Sequence, residues 1–247
     1  MLHLATTIAL GPLLLAQGRR VRRVTPVLPE APGPRTGTAG EGPPLRLLIL
    51  GDSAAAGVGA PSQNQALSGH LVAALARRHT VDWTLQARTG ATTADALQAL
   101  ADLPRRPFDV VVTSLGVNDV TANTSVRCWV DQQAQLVAAL REGFGRPRIL
   151  LSALPPMHRF PALPQPLRAY LGAQARRYNV ALAALAARSE GCTRVPLDLP
   201  NTESDMAGDG FHPGPAIYAA WAAELARHIA SPAAPGARTL SAAPTTD

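Results

Sequence analysis

Four short segments of this chain contain residue types that can act together in hydrolytic chemistry. They are residues 51–54 (GDSA), 88–92 (RTGAT), 116–119 (GVND) and 209–213 (DGFHP). Each segment alone has an ordinary explanation, because Ser, Asn and Asp commonly close turns and cap helices. Together they offer a nucleophile, a base with an orienting carboxylate, and further hydrogen-bond donors, a set that unrelated turns would rarely supply.

The nucleophile and its base form the first predicted pair. A serine such as Ser53 attacks weakly until a base takes its proton, and His212 is the predicted base. Asp209 lies three residues earlier on a turn that Gly210 allows, so its carboxylate can fix the imidazole tautomer and stabilise the protonated ring. The alternative is a capping aspartate beside an unrelated histidine. His158 is the only competing base, and no carboxylate is spaced to orient it.

Two further positions can donate hydrogen bonds to a developing oxyanion. Asn118 has a side-chain amide, and Gly90 allows a backbone N–H to approach a ligand closely. The alternative for Asn118 is a turn that caps the next segment. Side chains near these positions are expected to line a substrate pocket; they are Asp52, Met157, His158 and Phe160. Met157, Phe160 and Leu163 are candidates for an acyl-binding wall or simply for packing.

The elements that must position these segments alternate along the chain. Apolar runs predict strands, and apolar residues at helical spacing predict helices. The predicted strands are residues 45–50, 81–87, 108–115, 148–154 and 194–199, and the predicted helices are residues 65–78, 93–103, 126–144, 166–188 and 213–229. Such alternation predicts an α/β fold: a three-layer α/β/α sandwich with a mostly parallel sheet of about five strands. Sites in such sheets form beyond the carboxyl ends of the strands, where all four segments fall.

The domain organisation follows from composition. Residues 1–24 are an apolar segment ending in an arginine cluster, and residues 25–44 contain many prolines and glycines, which predict a linker or extended segment without regular structure. Residues 45–231 form the predicted catalytic domain. Residues 232–247 have almost no large apolar side chain and are predicted to be a disordered tail.

The N-terminal segment allows more than one interpretation. Its apolar run is about 15 residues long, whereas a spanning helix needs roughly 20. The positive charges follow the run, whereas in a secretory signal they precede it. Peripheral membrane contact through residues 1–23 fits this pattern. A helix packed on the domain's own surface fits equally, and an atypical signal anchor is a third reading. The expected location is therefore cytoplasmic or membrane-associated.

Composition argues against several other functions. The net charge is +6, but all 23 basic residues are arginines, mostly scattered and without interleaved aromatics, so nucleic acid is not an expected partner. The absence of lysine excludes a Schiff base, a P-loop lysine and a Ser-Lys dyad. The G-x-S-x-G nucleophile motif is also absent. Cys128 and Cys192 are predicted to be buried thiols, with a single disulfide as the alternative.

The four segments resemble, in order, four blocks of the SGNH hydrolase (GDSL-like lipase/acylhydrolase) family, whose fold is flavodoxin-like. The resemblance covers about residues 45–230, and Ala54 stands where the name-giving motif has Leu. It implies that Ser53 is the nucleophile, that His212 and Asp209 complete a triad, and that Ser53, Gly90 and Asn118 form the oxyanion hole. It implies no metal and no cofactor.

The expected function is therefore hydrolysis of a small-molecule carboxylic ester by an esterase or lysophospholipase-like acylhydrolase, through an acyl-enzyme on Ser53. The alternative within the same chemistry is a carbohydrate O-acetyl esterase. A non-catalytic ligand-binding module is the remaining alternative, although Ser53, Asp209 and His212 are all present.

Overall fold

A sheet with helices on both faces forms the described part of the protein. The computed structural model describes residues 2–197 and 205–231, and of these the side chains from residue 10 onward. The predicted tail at 232–247 lies outside the described residues. The strands are β1 (Thr36–Ala39), β2 (Pro44–Gly51), β3 (Thr80–Ala87), β4 (Val110–Ser114), β5 (Arg148–Ser152) and β6 (Cys192–Val195). The α-helices are α1 (Leu2–Val24), α2 (Leu67–Leu75), α3 (Thr93–Ala99), α4 (Val117–Thr121), α5 (Val126–Gly143), α6 (Leu167–Arg188) and α7 (Pro215–Ala230).

The strand order is β1-β3-β2-β4-β5-β6. Strands β2 to β6 are parallel, and β1 pairs antiparallel with β3. The predicted mostly parallel α/β fold is confirmed, with six strands in place of about five. Because the parallel strands point the same way, the loops after β2, β4 and β5 leave the sheet at one edge.

Burial alternates along the central strands and explains the two helical layers. Leu48 and Leu50 of β2 enter the core shared with α3, α5 and α6, whereas Leu47 and Ile49 enter the core shared with α2 and α7. Successive side chains of a strand point to opposite faces, so a strand buried on both faces must be apolar throughout. The run LRLLIL at the start of the predicted domain meets that requirement.

The prediction that residues 25–44 have no regular structure is wrong for Thr36–Ala39, which form the edge strand β1. Its four residues are small and mostly exposed, so they carry no apolar alternation. The strand is defined by its pairing with β3, in which Gly37 lies opposite Trp83. A Cβ on Gly37 would come within 3.1 Å of the Trp83 indole nitrogen. Thr36–Ala39 are therefore part of the sheet rather than of a separate linker.

Helix α1 lies on the domain's own surface. Its Leu14 is buried in the same core as α6. The Gln17 side-chain amide donates to the Gln165 carbonyl (2.7 Å), and its oxygen accepts from the Leu167 backbone N–H (3.1 Å) at the start of α6. Of the three interpretations of this segment, surface packing is the one seen in the structure. Throughout residues 2–197 and 205–231, no helix combines the length and apolar character needed to cross a membrane.

Two smaller differences concern β6 and the cysteines. The strand predicted at 194–199 is found at Cys192–Val195, at the edge of the sheet; residues 198 and 199 lie outside the described residues. Both cysteines are free, and the prediction of burial is wrong for Cys128, which is exposed on α5.

Candidate active site

The loop after β2 presents Ser53 at the carboxyl edge of the sheet. The Asp52 backbone N–H donates to the Ser114 carbonyl of the neighbouring β4 (3.1 Å), which holds the turn against the sheet. The Ser53 carbonyl accepts from the Val58 N–H (3.0 Å), and the Tyr218 hydroxyl of α7 donates to the Val58 carbonyl (2.6 Å). The nucleophile loop is thus fixed by two neighbouring elements.

His212 stands on a tight loop that precedes α7. The Ala207 N–H donates to the His212 carbonyl (2.9 Å), and the Gly210 N–H donates to the Ala207 carbonyl (2.8 Å). Gly210 has a φ of +63°, a left-handed conformation that glycine adopts without a steric penalty. A second contact anchors the loop from outside, because the Ala162 N–H donates to the Gly210 carbonyl (3.1 Å).

The structure brings Ser53, His212 and Asp209 into one hydrogen-bonded chain. His212 Nε2 lies 2.9 Å from Ser53 Oγ, and His212 Nδ1 lies 2.5 Å from Asp209 Oδ2. The other carboxylate oxygen of Asp209 accepts from the backbone N–H groups of Phe211 (2.9 Å) and His212 (3.0 Å). This is the arrangement in which an imidazole can take a hydroxyl proton while a carboxylate orients it.

The charge of Asp209 follows from its surroundings. Burial raises the pKa of this carboxyl group, but the hydrogen bonds from His212 and Phe211 outweigh burial, so the pKa lies below its ordinary value. Asp209 is therefore ionised at neutral pH. An ionised acceptor at Oδ2 requires a proton on His212 Nδ1, which leaves Nε2 free to accept the Ser53 proton.

The donors expected for an oxyanion lie in neighbouring loops. The backbone N–H groups of Ser53 and Gly90 have no hydrogen-bond acceptor among the described residues. Gly90 has a φ of +79°, and a Cβ there would meet nothing within 4 Å, so the side of Gly90 where a side chain would project is open space. The Asn118 amide donates one N–H to the Ala91 carbonyl (2.9 Å), which leaves the second N–H for a ligand.

A buried network joins the loop of Gly90 to the start of α4. The Asp119 carboxylate accepts from the Thr93 N–H (3.2 Å) and hydroxyl (3.0 Å), and the Gln133 amide of α5 donates to the same hydroxyl (3.0 Å). Glu30 accepts from the Thr89 N–H (2.6 Å) and hydroxyl (2.8 Å) on the other side of that loop. The sequence reasoning missed these supporting residues, because no local pattern pairs positions 26 to 59 residues apart.

An apolar cavity of about 70 Å³, the catalytic cavity, adjoins Ser53. Asp52, Phe160 and Phe211 are among its lining residues, and the Phe211 ring contacts both the Phe160 ring (5.1 Å between centroids) and the His212 ring (5.4 Å). Two residues expected in this wall lie elsewhere. Met157 is fully buried in the core, and His158 is exposed. Both belong to one turn of 3₁₀ helix that points them away from the cavity.

Asp52 is buried beside the nucleophile, and burial raises its pKa to about 6. In the unfolded chain the same carboxyl ionises near pH 4, so the folded state holds the proton more tightly and loses stability as pH rises between about 4 and 6. Relative to Asp52→Asn, we expect the wild-type free energy of unfolding to fall by up to about 3 kcal/mol between pH 4 and 7. Urea unfolding of both proteins across that range measures it. If the difference in free energy of unfolding between the two proteins stays constant with pH, the raised pKa of Asp52 is contradicted.

No group of three or more His, Cys, Asp or Glu side chains within residues 2–197 and 205–231 is arranged to hold a metal ion.

The sequence profile of the GDSL-like Lipase/Acylhydrolase family matches residues 49–220. No curated protein sequence matches the chain significantly. Among solved structures, similar folds include a carbohydrate esterase family 2 enzyme with a carbohydrate-binding domain from Corynascus thermopiles (Myceliophthora fergusii). It has a TM-score of 0.63 at 19% identity, with 78% of this chain and 67% of that chain covered.

Two further structures resemble the chain over most of their own length. One is the acetylxylan esterase Axe2 from Geobacillus stearothermophilus, with a TM-score of 0.58, 17% identity, and coverage of 77% of this chain and 96% of that chain. The other is the lipase Lip_vut3 from a goat rumen metagenome, with a TM-score of 0.60, 18% identity, and coverage of 75% and 97%. At these identities the likeness concerns the fold.

Proposed function

Because the chain belongs to the GDSL-like lipase/acylhydrolase family, we propose that it hydrolyses carboxylic esters through an acyl-enzyme on Ser53. The observation that carries the proposal is the hydrogen-bonded chain from Ser53 through His212 to the buried carboxylate of Asp209, in the wall of an apolar cavity. A binding module would have no need of an ionised, fully hydrogen-bonded aspartate behind a histidine that contacts a serine.

The first half-reaction forms the acyl-enzyme. Ser53 Oγ attacks the ester carbonyl carbon while His212 Nε2 takes the hydroxyl proton, and the negative charge moves to the carbonyl oxygen. The N–H groups of Ser53 and Gly90 and the free N–H of Asn118 are the donors proposed for that oxyanion. The tetrahedral intermediate then expels the alcohol, which leaves with the proton from His212.

The second half-reaction hydrolyses the acyl-enzyme and restores the free enzyme. His212 takes a proton from water, the hydroxide oxygen attacks the acyl carbonyl carbon, and the carboxylic acid leaves as Ser53 regains its proton. Asp209 remains ionised in both steps and stabilises the imidazolium formed in each.

The test is a series of p-nitrophenyl esters from acetyl to palmitoyl, assayed at neutral pH with the full chain. We expect hydrolysis of at least the short esters, together with a chain-length optimum that defines the acyl preference. Absence of hydrolysis for every ester in the series would contradict the proposed activity.

The small volume of the catalytic cavity, about 70 Å³, supports a second candidate, a carbohydrate O-acetyl esterase. An acetyl group is the smallest acyl group commonly esterified to sugars, and the structurally similar proteins include an acetylxylan esterase. Acetate release from acetylated xylan or from peracetylated monosaccharides separates this candidate from a lipid-like acylhydrolase. The O-acetyl esterase candidate predicts that acetate is released from these acetylated carbohydrates faster than from p-nitrophenyl acetate.

Asn118→Ala tests the oxyanion hole. We expect kcat for p-nitrophenyl acetate to fall about 10²- to 10³-fold with KM changed little, because the amide contributes most when charge develops on the oxygen. Steady-state kinetics of the variant measures both constants. The control is Asn64→Ala, since Asn64 is an exposed asparagine outside the cavity. A variant with wild-type kcat would refute the role.

A further inference from the structure

A second cavity, the α1 groove, lies between α1, α4 and α6 and has a volume of about 460 Å³. Its wall on α1 consists of residues spaced three or four apart, which places them on one face of the helix. These residues are Gly11, Leu14, Leu15, Gly18, Val21 and Arg22. The facing wall includes Val120, Thr121, Leu163, Leu167 and Leu171. All of α1 precedes the part of the chain that matches the family, so the α1 wall of this groove belongs to this chain's own N-terminal segment.

Two glycines of α1 leave open space in the groove. A Cβ on Gly11 would have no atom within 4 Å, and a Cβ on Gly18 would meet only the end of the Arg22 side chain, at 3.9 Å. Glycine in a helix interior is destabilising by about 1 kcal/mol relative to alanine. The structure gives the two positions no packing reason for glycine, whereas the open space beside them would be lost with any larger side chain.

The groove adjoins the catalytic cavity. Phe211 lines both, and its ring contacts the ring of His212. Asn118, whose amide has a free N–H, also lines the groove. The two cavities therefore meet at the Phe211 side chain, next to the proposed base His212.

The surfaces of the groove are mainly hydrocarbon. Leu15, at the rim of the groove, is 60% exposed. A bound apolar ligand would cover this hydrocarbon surface and remove it from water. Two polar side chains of the facing wall contact each other, since the Tyr170 hydroxyl donates to Asn123 Oδ1 (3.4 Å). Arg22 is the charged lining residue, and it is exposed.

We propose that the α1 groove binds the long apolar chain of the ester substrate, so that α1 confers a preference for lipid-like esters over acetyl esters of small alcohols. The proposal rests on the proposed ester hydrolysis at Ser53. From Gly11 to Val21 the helix face spans about 15 Å at 1.5 Å per residue. C–C bonds of about 1.5 Å in an extended zigzag advance the chain by about 1.25 Å each, so a hydrocarbon of about twelve carbons covers that distance.

The test is Gly18→Leu, which fills the groove. Leucine is a better helix former than glycine, so the variant should fold at least as well. Ala16→Leu is the matched control, because Ala16 is an exposed residue of the same helix outside the groove. Each bound methylene raises affinity about fourfold, so exclusion of even two of them changes kcat/KM by about an order of magnitude.

Two ratios of kcat/KM are measured in wild type and both variants. One compares p-nitrophenyl dodecanoate with the acetate, and the other compares dodecyl acetate with ethyl acetate. We expect Gly18→Leu to lower at least one ratio tenfold or more, while Ala16→Leu keeps the wild-type ratios. A fall in the first ratio assigns the groove to the acyl chain, and a fall in the second assigns it to the alcohol chain.

The outcomes separate this proposal from the one on which it rests. Acetate hydrolysis by all three proteins with unchanged ratios overturns the groove assignment and leaves the esterase intact. Unchanged ratios combined with altered binding of Gly18→Leu to anionic phospholipid vesicles would instead assign α1 to membrane contact. Absence of any ester hydrolysis by wild type overturns both proposals.

Discussion

Ser53→Ala is expected to lower kcat for ester hydrolysis about 10⁶-fold, the scale seen when the nucleophile of a serine hydrolase triad is removed. Alanine has no oxygen to attack the carbonyl carbon, and His212 loses the hydroxyl that lies 2.9 Å from its Nε2 atom. KM should change little, because the cavity wall loses only one oxygen atom. The residual hydrolysis by Ser53→Ala should be the slow direct attack of water bound beside the oxyanion donors.

The measurement is kcat for p-nitrophenyl acetate, with circular dichroism to verify folding. Ser114→Ala is the matched control, since Ser114 lines the same cavity at the end of β4 but has no contact with His212 among the described residues. It should keep activity within a few-fold of wild type. If Ser53→Ala retains more than a small fraction of the wild-type kcat, another group must be the nucleophile.

Asp209→Asn is expected to lower kcat about 10⁴-fold while leaving the fold intact. The asparagine oxygen can still accept from the backbone N–H groups of Phe211 and His212, which bond to Oδ1 in the wild type. Its amide group then faces His212 Nδ1, where Oδ2 now lies. An N–H donor there forces Nδ1 to be the acceptor, so the ring proton moves to Nε2 and the imidazole cannot take the Ser53 proton.

This prediction distinguishes an orienting carboxylate from a turn cap, the alternative that the sequence left open. A cap would require only the Oδ1 contacts, which asparagine keeps, so activity would stay near wild type. The control is Asp131→Asn on the exposed side of α5. Steady-state kinetics of both variants, with their urea unfolding midpoints, separates loss of catalysis from loss of fold.

The alternation of strands and helices, and the edge of the sheet that carries the site, could be predicted from the sequence. Strands such as β2 and β4 are buried on both faces, so nearly every side chain must be apolar and the signal is strong. The site residues follow those strands directly. Parallel strands bring their carboxyl ends together whatever the intervening helices contain, so the meeting of Ser53 with His212, 159 residues away, could be expected.

The features that could not be predicted depend on contacts between distant segments. Strand β1 exists because β3 offers it a free edge, and its four small residues show no pattern of their own. Glu30 supports the Gly90 loop through Thr89, yet a single glutamate among prolines gives no local signal. His158 and Met157 were expected at the cavity because they follow β5, but the 3₁₀ turn there places one in solvent and the other in the core.

The proposed mechanism requires a covalent intermediate on Ser53 during ester cleavage. The most direct measurement is rapid-quench mass spectrometry of the enzyme during turnover of a p-nitrophenyl ester, with peptide mapping of the adduct. We expect an acyl group on the peptide that contains Ser53, formed together with a burst of p-nitrophenol close to one equivalent of enzyme. The acyl group and the burst should be absent in Ser53→Ala. Steady hydrolysis by wild type with no adduct on any peptide, or an adduct on a different residue, would contradict it.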